Sequence, residues 1–293
     1  QFARMDSNID RWARLLDSGR NTARDAARHL QCCHEPLLFP EIKKDRTLFA
    51  STDGLWDAGT CAFIPYGSDA YNALPPDRVA CRYFEDGFGA EQHADYLHIP
   101  TPSLDKLFEA QEFEPKVVDW LLAFMGRFVF DSDTLDSWQV CMFLKGLGGS
   151  GKSTILKIVS AFYDPEDVGL LGNNIEGTFG LEPLADCFVT LCMEMKDNFA
   201  LDQALFQSMV SGEAVSVARK NKIALKTNWR AHVGIASNHS MPFLDIGGSV
   251  ARRVVAWNFS KVPRHPDQRL IRNILGGEMT RILQKCVRSY HDK

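Results

Sequence analysis

The chain has 293 residues, of which 45% are hydrophobic and 24% charged, and its formal net charge at pH 7 is −4. This composition is that of a folded globular protein, and the length allows one large domain or two modest domains. The small excess of acidic residues argues against a protein that binds nucleic acid through a generally basic surface, although basic residues confined to one channel remain compatible with it. No apolar run approaches the ~20 residues of a membrane span and no signal-like segment opens the chain, so we expect no membrane association.

The first part of the chain, residues 1–130, is predicted to be a smaller mixed and helical region ahead of the main domain. Residues 9–30 carry an apolar stripe at helical spacing. From Thr47 to Phe84 short apolar pieces alternate with Asp-Gly, Ala-Gly, Tyr-Gly and Pro-Pro, which predicts strands and turns. An amphipathic stretch from Leu104 to Phe130 follows, and Pro115 predicts a break between two helices. Because the chain begins with glutamine rather than methionine, we expect it to be a fragment of a longer protein.

Eight cysteines occur in the chain. The conceivable zinc ligands are Cys32, Cys33, His34, Cys61 and Cys81. No C-x₂-C pair occurs among them, and adjacent cysteines are poor partners in a tetrahedral site. The cysteine pattern therefore favours reduced thiols in an intracellular protein over a zinc site.

The most informative stretch begins with an apolar run from Trp138 to Leu144, which predicts a buried strand. The run is followed by Gly146-Leu147-Gly148-Gly149-Ser150-Gly151-Lys152-Ser153, which fits the phosphate-loop pattern G-x-x-x-x-G-K-[ST] at every fixed position. Apolar residues at helical spacing come next: Ile155, Ile158, Val159 and Phe162. Strand, loop and helix in this order are the context that the motif requires.

This loop predicts a binding site for ATP and Mg²⁺. Backbone N–H groups of a glycine-rich turn and of a helix N-terminus bind phosphate oxygens. Lys152 would contact the β- and γ-phosphates, and the Ser153 hydroxyl would bind Mg²⁺. The predicted nucleotide-binding residues are Gly146, Gly148, Gly149, Ser150, Gly151, Lys152, Ser153 and Thr154.

A second predicted strand, from Cys187 to Met193, leads to Glu194. An acidic side chain at the carboxyl end of such a strand lies beside the bound ligand in open α/β sheets. Glu194 is therefore a candidate for binding Mg²⁺ and polarising a water molecule. Asp197 is a second candidate that falls past the strand end. A surface glutamate at a strand exit explains the pattern equally well.

Two further predicted strands carry polar residues at their ends. The run from His232 to Ser237 ends at Asn238, whose amide could orient the attacking water, although asparagine is also a common turn residue. The run from Val254 to Phe259 is preceded by Arg252-Arg253. An arginine here could stabilise transition-state charge in a neighbouring subunit, or the pair could simply be exposed.

A basic hairpin is predicted between the second and third of these strands. Short β-rich segments flank Arg219-Lys220-Asn221-Lys222. Lysines at the tip of a projecting hairpin suit contacts with a nucleic-acid backbone without base recognition, whereas a solvated lysine turn is the default explanation. Lys220 and Lys222 are the candidate nucleic-acid contacts.

The order of these motifs resembles that of superfamily-3 helicases, which are AAA+-like hexameric replication motors, and most of all their poxvirus-type primase–helicase branch. The likeness rests on GLGGSGKST, on MEMKDNFALDQALFQSMVSGEAVSVARK, on IASNHSMPF and on SVARRVVAWNF. Asn221 replaces the histidine that follows the hairpin lysine in some relatives. Met195 replaces a second acidic residue, so Glu194 would serve alone.

The resemblance implies an α/β fold, with an AAA+-like P-loop core of central parallel strands at residues 131–262, a helical collar within residues 1–130 and terminal helices at 263–293. It implies that Lys152, Glu194 and Asn238 act on ATP, with Arg252 supplied by the neighbour in a homo-hexamer. The ring would thread single-stranded or forked DNA past Lys220.

The same resemblance implies a viral or mobile-element protein that works inside the host cell at the replication site. A primase domain or partner would accompany it. Two other classes stay open from the residues alone. A small-molecule kinase would share the phosphate loop, and a nucleotide-switched scaffold or primase-loading platform would bind ATP without unwinding DNA.

Overall fold

The computed structural model describes residues 43–89, 95–173, 180–197, 199–220, 222–243, 245 and 247–293. The chain divides into two compact units, residues 1–43 with 75–79 and residues 44–74 with 80–293. The predicted helix at 9–30 and the candidate zinc ligands Cys32, Cys33 and His34 lie outside the described residues. None of the helices in the described part is both long enough and apolar enough to cross a bilayer.

A four-stranded sheet in the order β3-β2-β1-β4 occupies the region where strands and turns are predicted. Its strands are β1 (Lys43–Ala50), β2 (Gly54–Asp57), β3 (Ala62–Pro65) and β4 (Arg78–Tyr83), and a short helix α1 (Asp69–Asn72) follows β3. β1 pairs with β2, and β2 with β3, in antiparallel fashion. Leu55 packs in a small local cluster, whereas its neighbour Trp56 belongs to the main core. Successive side chains of a strand point to opposite faces, so both faces of β2 are covered.

Two helices, α2 (Pro102–Gln111) and α3 (Pro115–Arg127), confirm the predicted break at Pro115. Proline stands at the first turn of each helix, where its missing N–H has no intrahelical partner to lose. Both helices bury apolar residues in the same core as the helix after the glycine loop. They are therefore part of the structure that supports the candidate site.

A five-stranded parallel sheet forms the centre of the α/β fold, with the order β11-β5-β10-β7-β6. The elements are β5 (Cys141–Gly146), α4 (Lys152–Ser160), β6 (Val168–Leu170), β7 (Val189–Met195), α5 (Gln203–Val210), β10 (His232–Ser237) and β11 (Val254–Phe259). Met142 and Leu144 lie in one core cluster, and Cys141 and Phe143 in the other. The sheet is thus buried on both faces, as is usual for parallel strands.

The predicted hairpin is present as β8 (Ala214–Arg219) and β9 (Lys222–Asn228), which pair antiparallel. Two helices end the chain, α6 (Leu270–Gly277) and α7 (Met279–His291). α6 includes Gly276 and Gly277, and the break between the two helices falls at Glu278. The Glu278 carboxylate accepts a 2.8 Å hydrogen bond from the Ser103 backbone N–H and so caps α2.

Two predicted strands begin later than expected. The strand expected from Trp138 begins at Cys141, since Gln139 has a φ of +52° and Trp138 packs against Phe124 instead of entering the sheet. The strand expected at Cys187–Met193 runs from Val189 to Met195. Glu194 is therefore the penultimate residue of the strand rather than the residue after its end.

Candidate active site

The glycine loop, residues 146–151, connects β5 to α4 at the carboxyl edge of the parallel sheet. Gly146 has a φ of +150°, and a Cβ there would lie 2.0 Å from the Phe259 carbonyl oxygen. Gly151 has a φ of +101° immediately before the helix. Only glycine adopts these conformations at such close range. The loop therefore turns tightly and presents the N-terminus of α4 to the space above the sheet.

Lys152 is the first residue of α4, and its side chain is only 6% exposed. Its Nζ donates hydrogen bonds to the carbonyl oxygens of Gly146 at 2.8 Å and Leu147 at 2.6 Å, and to Oδ1 of Asn238 at 2.9 Å. Burial lowers the pKa of this ammonium, while the nearby Glu194 carboxylate acts in the opposite direction. The ammonium is thus held inside the loop and directed to the sheet edge.

Glu194 is exposed at the carboxyl end of β7, and Ser153 lies opposite it at the start of α4. The Ser153 hydroxyl is 3.4 Å from the carbonyl oxygen of Met193. Asn173, which no sequence motif singled out, fixes the backbone on both sides of Met195, directly after Glu194: its amide donates to the Glu194 carbonyl at 2.7 Å and accepts from the Lys196 N–H at 2.7 Å. The Ser153 hydroxyl and the Glu194 carboxylate line the same cavity, and both are oxygen donors of the kind that Mg²⁺ binds.

Asn238 directly follows β10. Its predecessor Ser237 pairs with Lys145 of β5 on one side and Met195 of β7 on the other, so the ends of the three strands are level. The Ser237 hydroxyl donates to the Met195 carbonyl at 2.9 Å and accepts from the His239 N–H. These bonds hold Asn238 between Lys152 and the end of β7. Asp197, the weaker candidate, instead lies 3.2 Å from the His239 ring.

These groups share one cavity of about 550 Å³. The predicted residues that line it are Gly148, Gly149, Ser150, Gly151, Lys152, Ser153, Thr154, Glu194 and Asn238. The opposite wall comes from α2 and from the segment after β11, and its residues include Lys106, Leu107, Ala110, Pro263, His265, Leu270 and Ile271. This second wall could not be foreseen from the sequence, because nothing in the amphipathic pattern of α2 separates a cavity-lining leucine from a core leucine.

Gln111 fastens the glycine loop to this second wall. Its amide Nε2 donates to the Ser150 carbonyl at 3.0 Å and to the Lys261 carbonyl at 2.7 Å, and its Oε1 accepts from the Lys261 N–H at 3.2 Å. The side chain is buried, so these bonds replace contacts with water. The mouth of the cavity is therefore a fixed part of the fold.

The structure does not bring Arg252 to this cavity. It lies in a short 3₁₀ turn, Ala251–Arg253, before the amino end of β11, whereas the glycine loop follows the carboxyl end of the adjacent β5. Six residues of strand separate the two edges, or about 20 Å. Arg252 is exposed, whereas Arg253 is buried and donates to the Ser211 hydroxyl at 2.9 Å and the Ser249 carbonyl at 2.8 Å.

Lys220 also lies away from the cavity, in the turn between β8 and β9, and Lys222 begins β9. The Lys220 side chain is exposed, and its backbone N–H donates to the Glu182 carboxylate at 3.1 Å. Within the described part of the chain no carboxylate forms a salt bridge with the Lys220 ammonium. Its charge remains available to a ligand.

A separate acidic cluster, Asp164, Glu166 and Asp167, forms ion pairs with Lys44 and Arg82. Lys44 Nζ lies 2.6 Å from Glu166 and 2.8 Å from Asp167. The hydrogen bonds that Lys44 donates to Asp167 and Glu166 raise its pKa, which keeps it protonated. The cysteines that the structure describes are free, including Cys61 and the buried Cys81.

One protein-family model matches part of the chain. A model described as a family of unknown function (DUF5906) matches residues 144–253, which include the glycine loop, Glu194, Asn238 and Arg252. The comparison with curated proteins gave no match.

Among similar solved structures are chains of the NrS-1 C-terminal region. One A-form apo structure has a TM-score of 0.53 at 13% identity over 88% of this chain and 70% of that chain. An apo structure of residues 305–718 has a TM-score of 0.50 at 12% identity over 84% and 70%. A third, an A-form structure of the same region, has a TM-score of 0.49 at 16% identity over 64% of this chain and 44% of that chain. At these identities the likeness concerns the fold alone.

Proposed function

We propose that this chain is the motor part of an ATP-driven DNA helicase of the superfamily-3 type. The observation that carries the proposal is the meeting of Lys152, Ser153, Glu194 and Asn238 in one cavity, although they come from three separate parts of the sequence. A glycine loop at a helix N-terminus, a buried lysine and an adjacent pair of oxygen donors together suit a nucleoside triphosphate with Mg²⁺.

The residues fit this ligand in chemistry as well as position. The tight turn at Gly146 and Gly151 directs the first N–H groups of α4 toward the cavity, where they can donate to phosphate oxygens. Ser153 and Glu194 would hold Mg²⁺, which neutralises phosphate charge when bound. The second wall offers the apolar side chains of Leu107, Ala110 and Ile271 to a flat base.

In hydrolysis, Lys152 would exchange its bonds to the loop carbonyls for bonds to the β- and γ-phosphates. Glu194 would accept a hydrogen bond from the attacking water and polarise it, and Asn238 would orient that water. Burial of Lys152 strengthens its interaction with phosphate, because the charge is poorly screened there.

The proposed functional unit is a ring of identical subunits. Arg252 cannot reach the cavity of its own chain across the sheet, but it is exposed and therefore available to the cavity of a neighbour. A head-to-tail contact that closes on itself produces such a ring, and we propose six subunits from the family resemblance. The hairpin with Lys220 would then contact the phosphates of single-stranded DNA. The ring would act inside the cell at a replication site, with a primase domain or partner.

The decisive experiment compares Lys152→Ala with Lys157→Ala, which removes an exposed lysine from the same helix. We expect Lys152→Ala to lower ATP hydrolysis by at least about 100-fold, because a charged group directed at the transferring phosphate is lost. Lys157→Ala should hydrolyse ATP at the unaltered rate. Phosphate release is measured with and without single-stranded DNA. If the Lys152→Ala variant retained ATP hydrolysis, the proposed nucleotide site would be wrong.

Three further readouts separate the competing functions. Displacement of a strand from a forked duplex supports the helicase. ATP hydrolysis and assembly without displacement indicate a nucleotide-switched scaffold. Transfer of the γ-phosphate to a small molecule, with no stimulation by DNA, indicates a kinase. Electron microscopy with an ATP analogue and forked DNA counts the subunits in the ring.

A further inference from the structure

The tip of the β8–β9 hairpin carries an unusually exposed aliphatic residue. Ile223 is 90% exposed, and the next most exposed of the large apolar residues that the structure describes, Leu170, is 62% exposed. Isolated apolar side chains at the surface are common, but an isoleucine extended almost fully into solvent loses most of its packing energy. Ile223 differs from a scattered surface residue because it lies next to the turn of the β8–β9 hairpin.

Ile223 lies in β9 next to the turn of the hairpin, two residues from Leu225. Leu225 pairs with Val217, and both pack in the core cluster that contains Cys141 and Phe143. The register of the hairpin shifts beyond this pair, where Arg219 pairs with Lys222. Two strand residues span about 7 Å. The packed part of the hairpin therefore ends between Leu225 and Ile223, and the Ile223 side chain lies in solvent.

The hairpin that carries Ile223 is strongly basic. Between Glu213 and Asp245 the sequence has no acidic residue. The hairpin contains Arg219, Lys220, Lys222 and Lys226, whereas Arg230 lies past its end and 3.9 Å from Asp131. Lys220 and Lys226 are exposed, and the Glu182 carboxylate accepts a hydrogen bond from the backbone N–H of Lys220. The tip thus combines one aliphatic side chain with several cations.

We propose that Ile223 packs against the sugar and base faces of a single DNA strand whose phosphates are held by the surrounding lysines; this rests on the helicase function proposed above. Each nucleotide of an unpaired strand presents one phosphate and one apolar face, and aliphatic side chains can lie against bases. A membrane or an apolar protein surface would require a wider apolar patch than one isoleucine. The contact made by Ile223 would contribute binding free energy that salt does not screen, whereas the lysine contacts weaken as the salt concentration rises.

The test is the affinity for a fluorescein-labelled oligothymidylate, measured by anisotropy over a series of KCl concentrations with an ATP analogue present. We expect Ile223→Ala to bind about tenfold more weakly at every KCl concentration, with the same slope of log K against log salt as the unaltered chain. Ile223→Leu should restore most of the affinity. Lys220→Ala should instead make the slope shallower by about 0.7, since one phosphate contact is lost.

Leu170→Ala is the matched control, because it removes another exposed aliphatic side chain outside the hairpin. Ile223→Ala binding as tightly as Leu170→Ala would overturn the inference, and so would a slope that changes as in Lys220→Ala. If Ile223→Ala altered only the oligomeric state in sedimentation, the residue would contact another copy of the chain and the inference would also fail. Failure of the helicase proposal is distinct: the unaltered chain would then bind no oligothymidylate or show no hydrolysis dependent on Lys152.

Discussion

The ammonium of Lys152 donates a 2.9 Å hydrogen bond to Oδ1 of Asn238, although the two residues are 86 positions apart in the sequence. The bond joins the first residue of α4, which follows β5 through the glycine loop, to the residue directly after β10. The two meet because β5 and β10 are parallel neighbours. With its oxygen bound to Lys152, the Asn238 amide retains its N–H₂ group as a donor. Asn238 is therefore placed to affect both the lysine and a water molecule beside the phosphates.

Asn238→Ala tests the second of these roles. We expect the rate of ATP hydrolysis to fall about 100-fold, because an oriented donor at the reaction centre is lost, while the affinity for nucleotide changes far less. Phosphate release and binding of a fluorescent ATP analogue measure the two quantities. Ser240→Ala is the control, since Ser240 bonds to Lys145 rather than Lys152. Equal losses of rate and affinity would assign Asn238 to nucleotide binding alone.

Alanine substitutions at two glycines, Gly126 and Gly276, test how closely α3 packs on α7. A Cβ at Gly126 of α3 would lie 2.1 Å from the Cys286 carbonyl of α7, whereas a Cβ at Gly276 of α6 meets nothing within 4 Å. We expect Gly126→Ala to lower the free energy of unfolding by about 3 kcal/mol or more through overpacking. Gly276→Ala should raise it by about 0.5–1 kcal/mol, because alanine favours the helix. Urea unfolding measures both, and shifts of the same sign would contradict the close contact between α3 and α7.

The burial of His232 predicts that the protein loses stability in mild acid. It is fully buried at the start of β10, against the Phe128 ring. Burial, assisted by the guanidinium groups of Arg127 and Arg46, lowers its pKa well below the ordinary 6.5. Below about pH 6.5 the unfolded chain therefore binds a proton that the folded chain does not. As the pH is lowered through this range, the free energy of unfolding decreases by up to about 1.4 kcal/mol per pH unit.

The comparison is with His232→Leu, which keeps an apolar side chain of similar size but does not titrate. Urea unfolding at pH 7 and pH 5 should show a steeper loss for the unaltered chain than for the variant. Carboxylates with lowered pKa values, such as Asp136, lose their contribution in a lower range, below about pH 4, and do not obscure the difference. Identical slopes for the two proteins would show that His232 does not control this range.

The sequence predicts the carboxyl edge of the sheet well because its signals are local. Glu194 and Asn238 each stand at the end of a short apolar run, and Lys152 follows such a run through the glycine loop. Parallel strands bring their carboxyl ends together, so these three candidate residues could be expected to meet. The structure places them in one cavity. Their roles in binding and hydrolysis remain predictions that the experiments above address.

Other features depend on tertiary contacts that no local pattern records. Trp138 is apolar like a strand residue, but it packs between Phe124 and Tyr290, and the strand begins only at Cys141. Gln111 fastens the glycine loop through bonds to residues 39 and 150 positions away. Nothing in the neighbouring sequence distinguishes such a glutamine from one in solvent.

Arg252 and Arg253 provide the sharpest test of the ring. Arg252→Ala should reduce hydrolysis by about 1,000-fold or more with little loss of stability, because the side chain is exposed and would act on the neighbour's nucleotide. Arg253→Ala should instead destabilise the fold by about 1–3 kcal/mol, since it removes buried hydrogen bonds to Ser211 and Ser249. Thermal unfolding and phosphate release of each variant separate these effects.

Mixing two inactive variants then tells whether the site is shared. In a ring assembled at random from equal amounts of Lys152→Ala and Arg252→Ala subunits, about one quarter of the interfaces join an intact Lys152 to an intact Arg252. We expect the mixture to regain hydrolysis toward that fraction, although each variant alone is inactive. A mixture no more active than its components, or an Arg252→Ala monomer that hydrolyses ATP normally, would remove Arg252 from the reaction and leave each cavity to act within its own chain.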